Sequence, residues 1–159
     1  MNDLTAAALA RADAEESTLY FVVPLIGPAD NVIPCAYFNA RWERIPSPKP
    51  LDTVNTNAIM FAQQSVGLSP DVLAQLGNSK PDTSVTLFVA VAKTLEKPSG
   101  LPNTFVATGL DQATTVTVPV GPGTRRGVVL VFRRPASGNA QTLIATSDPE
   151  IRNGSSSDD

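Results

Sequence analysis

The stretch that decides the fold is Val85-Thr86-Leu87-Phe88-Val89-Ala90-Val91-Ala92. Successive side chains of a strand point to opposite faces, and here both alternating sets are apolar or nearly so. A strand with two apolar faces is typical of the middle of a sheet that is covered on both sides. The segment Val128-Val129-Leu130-Val131-Phe132 shows the same pattern and ends where Arg133 and Arg134 return to solvent. Both segments are therefore predicted to be central strands.

Strand signals recur along most of the chain, separated by Pro, Gly, Asn and Asp. The predicted strands are Thr18–Ile26, Val32–Trp42, Val54–Phe61, Val85–Thr94, Thr104–Ala107, Thr114–Val120, Gly127–Arg133 and Gln141–Thr146. Turn residues at Pro28–Asn31 predict a hairpin between the first two strands, and Gly121–Arg126 predicts a hairpin tip between the sixth and seventh. Strands without alternating helices favour a mainly β fold, an antiparallel β-sandwich of jelly-roll or immunoglobulin-like topology.

Two helices are predicted beside the strands. Residues 4–16 are strong helix formers, and their apolar face is mostly alanine, so this helix must dock on the body or on a neighbouring subunit. Ser69 and Pro70 begin a short helix near residues 70–76, which Gly77 ends. The predicted organisation is an N-terminal helical arm at 1–17, a sandwich domain at 18–146 and a polar C-terminal tail at 147–159.

The first predicted strand contains Pro24, which cannot donate a hydrogen bond within a sheet and so predicts an edge, a strand end or a bulge. The strand is nevertheless apolar on both faces, and an apolar edge strand aggregates unless something covers it. The N-terminal helix or a neighbouring subunit is the expected cover. The interface residues predicted from this strand and from the helix are Leu19, Phe21, Val23, Leu25, Leu4 and Leu9.

Composition limits the function classes. The 159 residues, 42% apolar and 17% charged, predict one globular domain. Histidine is absent and Cys35 is the one cysteine, which removes the commonest general base, most metal ligands and any internal disulfide. We therefore predict no catalytic residues, no metal site and no cofactor, with Cys35 as a buried structural thiol. The carboxylates are interpreted as solvated surface rather than as a pair for glycoside hydrolysis.

The charge distribution limits the partners. Net charge is −3, and the densest basic spots are the pairs Arg125–Arg126 and Arg133–Arg134. Two such pairs cannot neutralise a row of phosphates, so direct nucleic-acid binding is not favoured. Arg125 and Arg126 are instead assigned to an acidic patch on a neighbouring subunit. No run reaches the roughly 18 apolar residues of a membrane helix, so no membrane insertion is expected.

The histidine-free, Thr/Pro/Val-rich strand pattern, with its helical N-terminal arm and polar C-terminal tail, resembles the β-sandwich coat or capsid-decoration proteins of small viruses and phages. The resemblance extends over residues 18–146 and carries no diagnostic motif. It implies a non-enzymatic structural subunit of a virion, made in the host cytoplasm, whose partners are copies of itself or other capsid subunits. The missing basic arm departs from that pattern and favours a neutral shell lining or an outer cement protein.

The alternative interpretation is a monomeric carbohydrate-binding β-sandwich, located in the cytoplasm. In that case Trp42 and Tyr37 are the predicted ligand-binding residues, since exposed aromatic rings in a groove can stack on a sugar. The two interpretations differ in their partners, which are protein copies in the first and carbohydrate in the second.

Overall fold

The structure is a computed structural model that describes residues 3–28, 32–96, 100–110, 113–135, 141–146 and 149–154. Its strands form two sheets. The first sheet contains β1 (Thr18–Pro24), β2 (Cys35–Asn39), β3 (Arg44–Ile45), β5 (Ala58–Gln63), β8 (Thr108–Leu110) and β9 (Ala113–Pro119). The second contains β4 (Leu51–Asp52), β6 (Thr86–Glu96), β7 (Thr104–Val106), β10 (Thr124–Pro135), β11 (Gln141–Ala145) and β12 (Glu150–Asn153). The helices are α1 (Asp3–Ala14) and α2 (Pro70–Gln75).

The strand order is β3-β2-β1-β5-β9-β8 in the first sheet and β4-β12-β10-β6-β7 in the second, where β11 also pairs with β10. The mainly β, sandwich-like fold is thereby confirmed. The expectation of a wholly antiparallel arrangement is wrong at two pairs, because β1 lies parallel to β5 and β12 lies parallel to β4. Parallel neighbours require a long connection between them, and more than thirty residues separate the end of β1 from the start of β5.

The main core lies between the two sheets. Its side chains come from every second residue of the long strands, except in β6, where a register shift against β10 separates the core residues Leu87 and Ala90 by three positions. From the first sheet it takes Tyr20, Val22, Ile59, Phe61, Val116 and Val118, and from the second Leu87, Ala90, Val128, Leu130, Phe132 and Ile144. This alternation in β10 leaves the side chains of Val129 and Val131 on the other face of the second sheet.

A second core lies on the outer face of the first sheet, beneath the helices. Ala8 and Ala12 of α1 and Val72 of α2 pack there against Phe21 and Met60. Helix α1 therefore docks on its own chain. The predicted short helix is confirmed together with its cap, since the Ser69 side chain accepts a hydrogen bond from the Val72 backbone N–H at 3.3 Å.

Strand β1 is central rather than an edge, because it pairs with β2 on one side and β5 on the other. Pro24 is its last residue, so the missing N–H falls at a strand end, as one of the three expected placements. The antiparallel pairing of β1 with β2 is confirmed. Of the turn predicted between them, residues 29–31 lie outside the described residues.

The segment Gly121–Arg126 is not a hairpin tip. Strand β9 pairs with β5 and β8 in the first sheet, so both of its sides are occupied and β10 cannot add to it. The chain instead crosses to the second sheet. It crosses in the opposite direction at Ala107, the single residue between β7 in the second sheet and β8 in the first.

The body of the protein extends beyond residue 146, where the sequence prediction ended it. Strand β12 pairs with β10 and β4, and its Ile151 is fully buried in the main core. Burial of this one apolar side chain explains why part of the predicted tail joins the sheet. Residues 147–148 and 155–159 of that tail lie outside the described residues.

Candidate functional site

The outer face of the second sheet is apolar and lies at the surface. Because Val128, Leu130 and Phe132 point into the main core, the residues between them point outward. The same holds for alternate residues of the neighbouring strands. We call this set the outer valine face: Val89, Val91, Leu95, Val106, Val129, Val131, Leu143 and Ala145.

The strand register arranges most of the outer valine face in two neighbouring rows, and the exposed Lys93 lies on the same face between Val91 and Leu95. Val106 lies opposite Val89, Val89 opposite Val131, and Val131 opposite Ala145, so one row crosses four strands. A second row contains Val91 opposite Val129. The most exposed members are Val106 at 67%, Leu143 at 57%, Leu95 at 47% and Val91 at 43%. Soluble monomers rarely expose contiguous apolar patches of this kind without a binding role.

This face corrects one expectation from the sequence. The strand containing Val85–Ala92 lies inside its sheet, between β10 and β7, as predicted. It is not covered on both sides, because neither of the two described helices lies on its outer face. The second apolar face that the sequence pattern indicated exists, but the described residues of this chain do not bury it.

Charged side chains lie at the two ends of the outer valine face. At one end the Arg133 guanidinium lies 5.1 Å from the centre of the Phe88 ring. At the other end Arg125 Nη1 lies 3.3 Å from Glu150 Oε1. An apolar centre with a polar rim is the usual anatomy of a protein interface.

The interface residues predicted from the first strand are not at the surface. Leu19, Phe21, Val23 and Leu25 are 0–5% exposed and belong to the core beneath the helices. These four residues therefore cannot contact another folded copy. The two helix residues of the same prediction, Leu9 and Leu4, are partly buried on α1, and Leu9 packs against that core.

The two arginines predicted to meet an acidic patch have different environments. Arg125 points outward and pairs with Glu150 of its own chain. Arg126 is fully buried, and its guanidinium donates to the carbonyl oxygens of Pro119 at 2.7 Å and Pro102 at 2.5 Å. Burial lowers the pKa of this guanidinium. Arg126 thus holds the sheet crossing in place and is wrong as an interface residue.

The two aromatic residues of the carbohydrate alternative do not form one groove. Tyr37 packs on the main core with its ring edge-on to Phe61, at a centroid distance of 6.1 Å. Trp42 lies on the opposite face of the first sheet, stacked on Phe21 with ring centroids 4.1 Å apart. Trp42 borders a cavity of about 440 Å³, whose other wall residues include Thr5 and Gln64, whereas Tyr37 borders a separate cavity of about 260 Å³.

The remaining candidate for chemistry is Cys35, the predicted structural thiol. It is partly buried against the main core. Burial raises the pKa of its thiol, so the sulfur stays protonated and poorly nucleophilic at neutral pH. Within the described ranges no group of three Asp, Glu or Cys side chains is placed to hold a metal ion.

Sequence reasoning missed the two surfaces that the structure offers as sites. The outer valine face had a signal, since an apolar second face in β6 and β10 must be covered by something. Gln64 had none, because its sequence environment does not distinguish it from the neighbouring Gln63. Gln63 and Gln64 differ because consecutive side chains near the end of β5 point to opposite faces of the sheet.

Two further findings bear on function. No helix in the part of the chain that the structure describes is long and apolar enough to cross a membrane. No protein-family model matches this chain, and no curated protein matches it.

Proposed function

We propose that this chain is a non-enzymatic structural subunit that assembles with copies of itself through the outer valine face. The observation that carries the proposal is the continuous row Val106, Val89, Val131 and Ala145, which crosses four strands at the surface. Removing such a patch from water is favourable at about 25 cal/mol per Å² of apolar surface. A second copy supplies an equally apolar surface.

Association through a sheet face suits this fold better than association through a sheet edge. The strands at the ends of the two sheets are β3 and β8 in the first and β4 and β7 in the second, each of two or three residues. The five-residue β11 also lies at an edge, because its only strand partner is β10, and a single bridge from Val32 to Ala145 covers part of that edge. Short edge strands present few unpaired backbone groups and so protect against edge-to-edge pairing. The apolar surface of the second sheet lies on its face.

A two-fold contact between copies also suits the charges. Such a contact uses the same patch on both subunits, so an apolar centre faces an apolar centre. Arg133 lies at one end of the outer valine face and Glu150 at the other. With the strands of the two copies running in opposite directions, Arg133 of one copy would lie near the ion pair of Arg125 and Glu150 in the other.

The finer expectations belong to the same proposal. A self-assembling sandwich whose other face is closed by its own helices fits a coat or decoration protein of a virus or phage, located in the virion. The partners are then copies of the chain or other capsid subunits. A jelly-roll or immunoglobulin-like topology stays a prediction, and the parallel pair β1–β5 is a feature that a wholly antiparallel jelly roll lacks.

The test is size exclusion coupled to light scattering on the untagged full-length chain at micromolar concentration, at low and high salt. We expect a defined multimer that the double variant Val91→Lys/Val106→Lys converts to monomer. The matched control is Val54→Lys, since Val54 is 65% exposed and lies away from the face. A wild-type monomer at every concentration, or a multimer that survives the double variant, would contradict the proposal.

A further inference from the structure

Trp42 is held rigidly beside its cavity. The residue has a positive φ of 60°, an uncommon backbone conformation for a bulky side chain. Its carbonyl oxygen accepts a hydrogen bond from Gln75 Nε2 at 2.9 Å, and its indole Nε1 donates to Thr5 Oγ1 at 3.2 Å. With the ring stacked on Phe21, the indole is fixed from three sides. Such residues are maintained where the surrounding structure fixes them, often at ligand sites.

The cavity has the size and wall chemistry of a small-molecule site. Its volume of about 440 Å³ lies in the range of ligand pockets. Apolar contact comes from Trp42, Leu68 and Val72, while Ser69 and Gln64 supply polar groups. The Ser69 Oγ accepts from the Val72 backbone N–H, which leaves its hydroxyl hydrogen to donate.

Gln64 is the independent observation that points to a ligand. Its side chain is 3% exposed, and its Oε1 has no hydrogen-bond partner among the described residues. The amide Nε2 donates to the Val66 carbonyl oxygen at 3.3 Å. A buried carbonyl without a donor costs free energy in the folded protein, and a donor from a bound molecule would remove that cost.

The neighbouring Gln63 shows what a structural glutamine looks like in this fold. Its Nε2 donates to the Val85 carbonyl oxygen at 2.8 Å, and its Oε1 accepts from the Leu87 backbone N–H at 2.7 Å. Both ends of this amide are satisfied, and they connect the first sheet to the second. Gln64 is even more buried than Gln63, yet its Oε1 acceptor has no partner among the described residues.

From these contacts we infer that the Trp42 cavity binds a small neutral sugar. The indole provides an aromatic surface for the C–H groups of a pyranose ring. Gln64 Oε1 accepts a hydrogen bond from a ring hydroxyl, after a small adjustment of the segment containing Gly67 and Leu68, and Ser69 donates to another. The site lies on the face opposite to the outer valine face, so sugar binding does not depend on self-association.

The experiment uses Trp42 as its own reporter, because it is the one tryptophan of the chain. The full-length protein is titrated to high millimolar concentration with four probes, the methyl glycosides of glucose, galactose and mannose, and N-acetylglucosamine. Indole fluorescence and the single indole N–H resonance in NMR are recorded. We expect a saturable change with at least one probe. Failure of all four probes to give one would overturn the inference.

Two variants locate the site. Gln64→Met keeps the side-chain length without the acceptor and should weaken binding about tenfold, whereas Ala40→Phe should fill the cavity and abolish binding. Val106→Lys should bind as the wild type does, which separates this inference from the proposed function. Wild-type affinity in Gln64→Met would overturn the inference.

The stability of the variants in the absence of sugar distinguishes a ligand-binding role of Gln64 from a structural one. Gln63→Met should lower the urea midpoint clearly, because it leaves the Leu87 N–H and the Val85 carbonyl without partners. Gln64→Met should leave the midpoint unchanged or raise it, because it removes an unsatisfied acceptor. Equal loss of stability in the two variants would show that Gln64 is structural and would contradict the inference.

Discussion

The two sheets of this sandwich are both apolar on their outer faces, but only one of those faces is covered. Helices α1 and α2 bury Phe21 and Met60 on the first sheet. On the second sheet Val91 and Val106 stay exposed. Apolar content alone therefore does not determine which strands form a core. The covering helices determine it, and both helices that the structure describes lie on the first sheet.

The largest expected effect on stability comes from removing a side chain that the helices cover on the first sheet. Phe21→Ala removes a side chain that is 1% exposed and stacked on Trp42, so the free energy of unfolding should fall by about 3–5 kcal/mol. Val106→Ala on the uncovered face should change it by less than about 0.5 kcal/mol. Urea denaturation followed by circular dichroism, at a protein concentration too low for association, measures both. Similar losses would contradict the contrast between the faces.

The next effect compares two neighbouring arginines of β10. Arg126→Ala leaves the carbonyl oxygens of Pro119 and Pro102 without their donor, which should cost about 3 kcal/mol. Arg125→Ala removes an ion pair whose arginine side chain is 42% exposed, so its cost should stay below about 1 kcal/mol. The same denaturation experiment measures both. A larger loss for Arg125→Ala would contradict the assignment of Arg126 as the structural residue.

A third comparison tests whether helix α1 covers the first sheet, using two alanines on opposite sides of the helix. Ala8 is 1% exposed on the docked side of α1, whereas Ala10 faces solvent. Ala8→Asp buries a carboxylate and should lower the free energy of unfolding by about 2 kcal/mol. It should also increase the binding of a hydrophobic dye, because the helix no longer covers the sheet. Ala10→Asp should do neither. Unchanged dye binding in Ala8→Asp would argue against the helix as a cover.

The smallest effect concerns the link between the sheets at Asp82. Its backbone N–H donates to the Pro24 carbonyl oxygen, and its carboxylate pairs with Arg134 of β10. Burial raises the pKa of Asp82, whereas hydrogen bonds from Ser84 and Arg134 lower it. The lowering is the larger effect, so the pKa lies below its usual value of 3.8. The carboxylate therefore stabilises the fold above that value, and this stability is lost as the pH falls through the lower folded-state pKa.

Asp82→Asn checks this link. The variant should be less stable than the wild type at neutral pH, by about 1 kcal/mol, and the difference should shrink in acid. Urea midpoints across the pH range give the result, with the exposed Asp13→Asn as control. A difference that is constant with pH would mean that the charge of Asp82 does not contribute.

Much of the sheet content could be predicted because the long strands have clear periodicity. All eight predicted strands overlap observed ones. The short strands β3, β4, β8 and β12 were not predicted, because segments of two to four residues hardly display a period. Which strands pair with each other also could not be predicted from the sequence. Pro24 suggested an edge, yet β1 is central, since pairing depends on distant segments such as β5.

The candidate sites were less predictable than the fold. The sequence showed that β6 had two apolar faces but not which one its own chain would cover. The sequence indicated Trp42 as a binding residue but grouped it with Tyr37. The two side chains lie on opposite faces of the first sheet, which their spacing of five residues does not reveal. Two features become visible only when the helices and sheets are packed together. They are the exposure of the outer valine face and the lack of a hydrogen-bond partner at Gln64 Oε1.

The single residue Ala107 has a mechanical consequence. Strand β7 is hydrogen-bonded into one sheet and β8 into the other, so Ala107 joins the two layers with almost no slack. Sliding of one sheet across the other would have to break one of these short ladders first. Load that enters one layer would therefore pass to the other along this side of the sandwich, so the two sheets would resist shear as a unit.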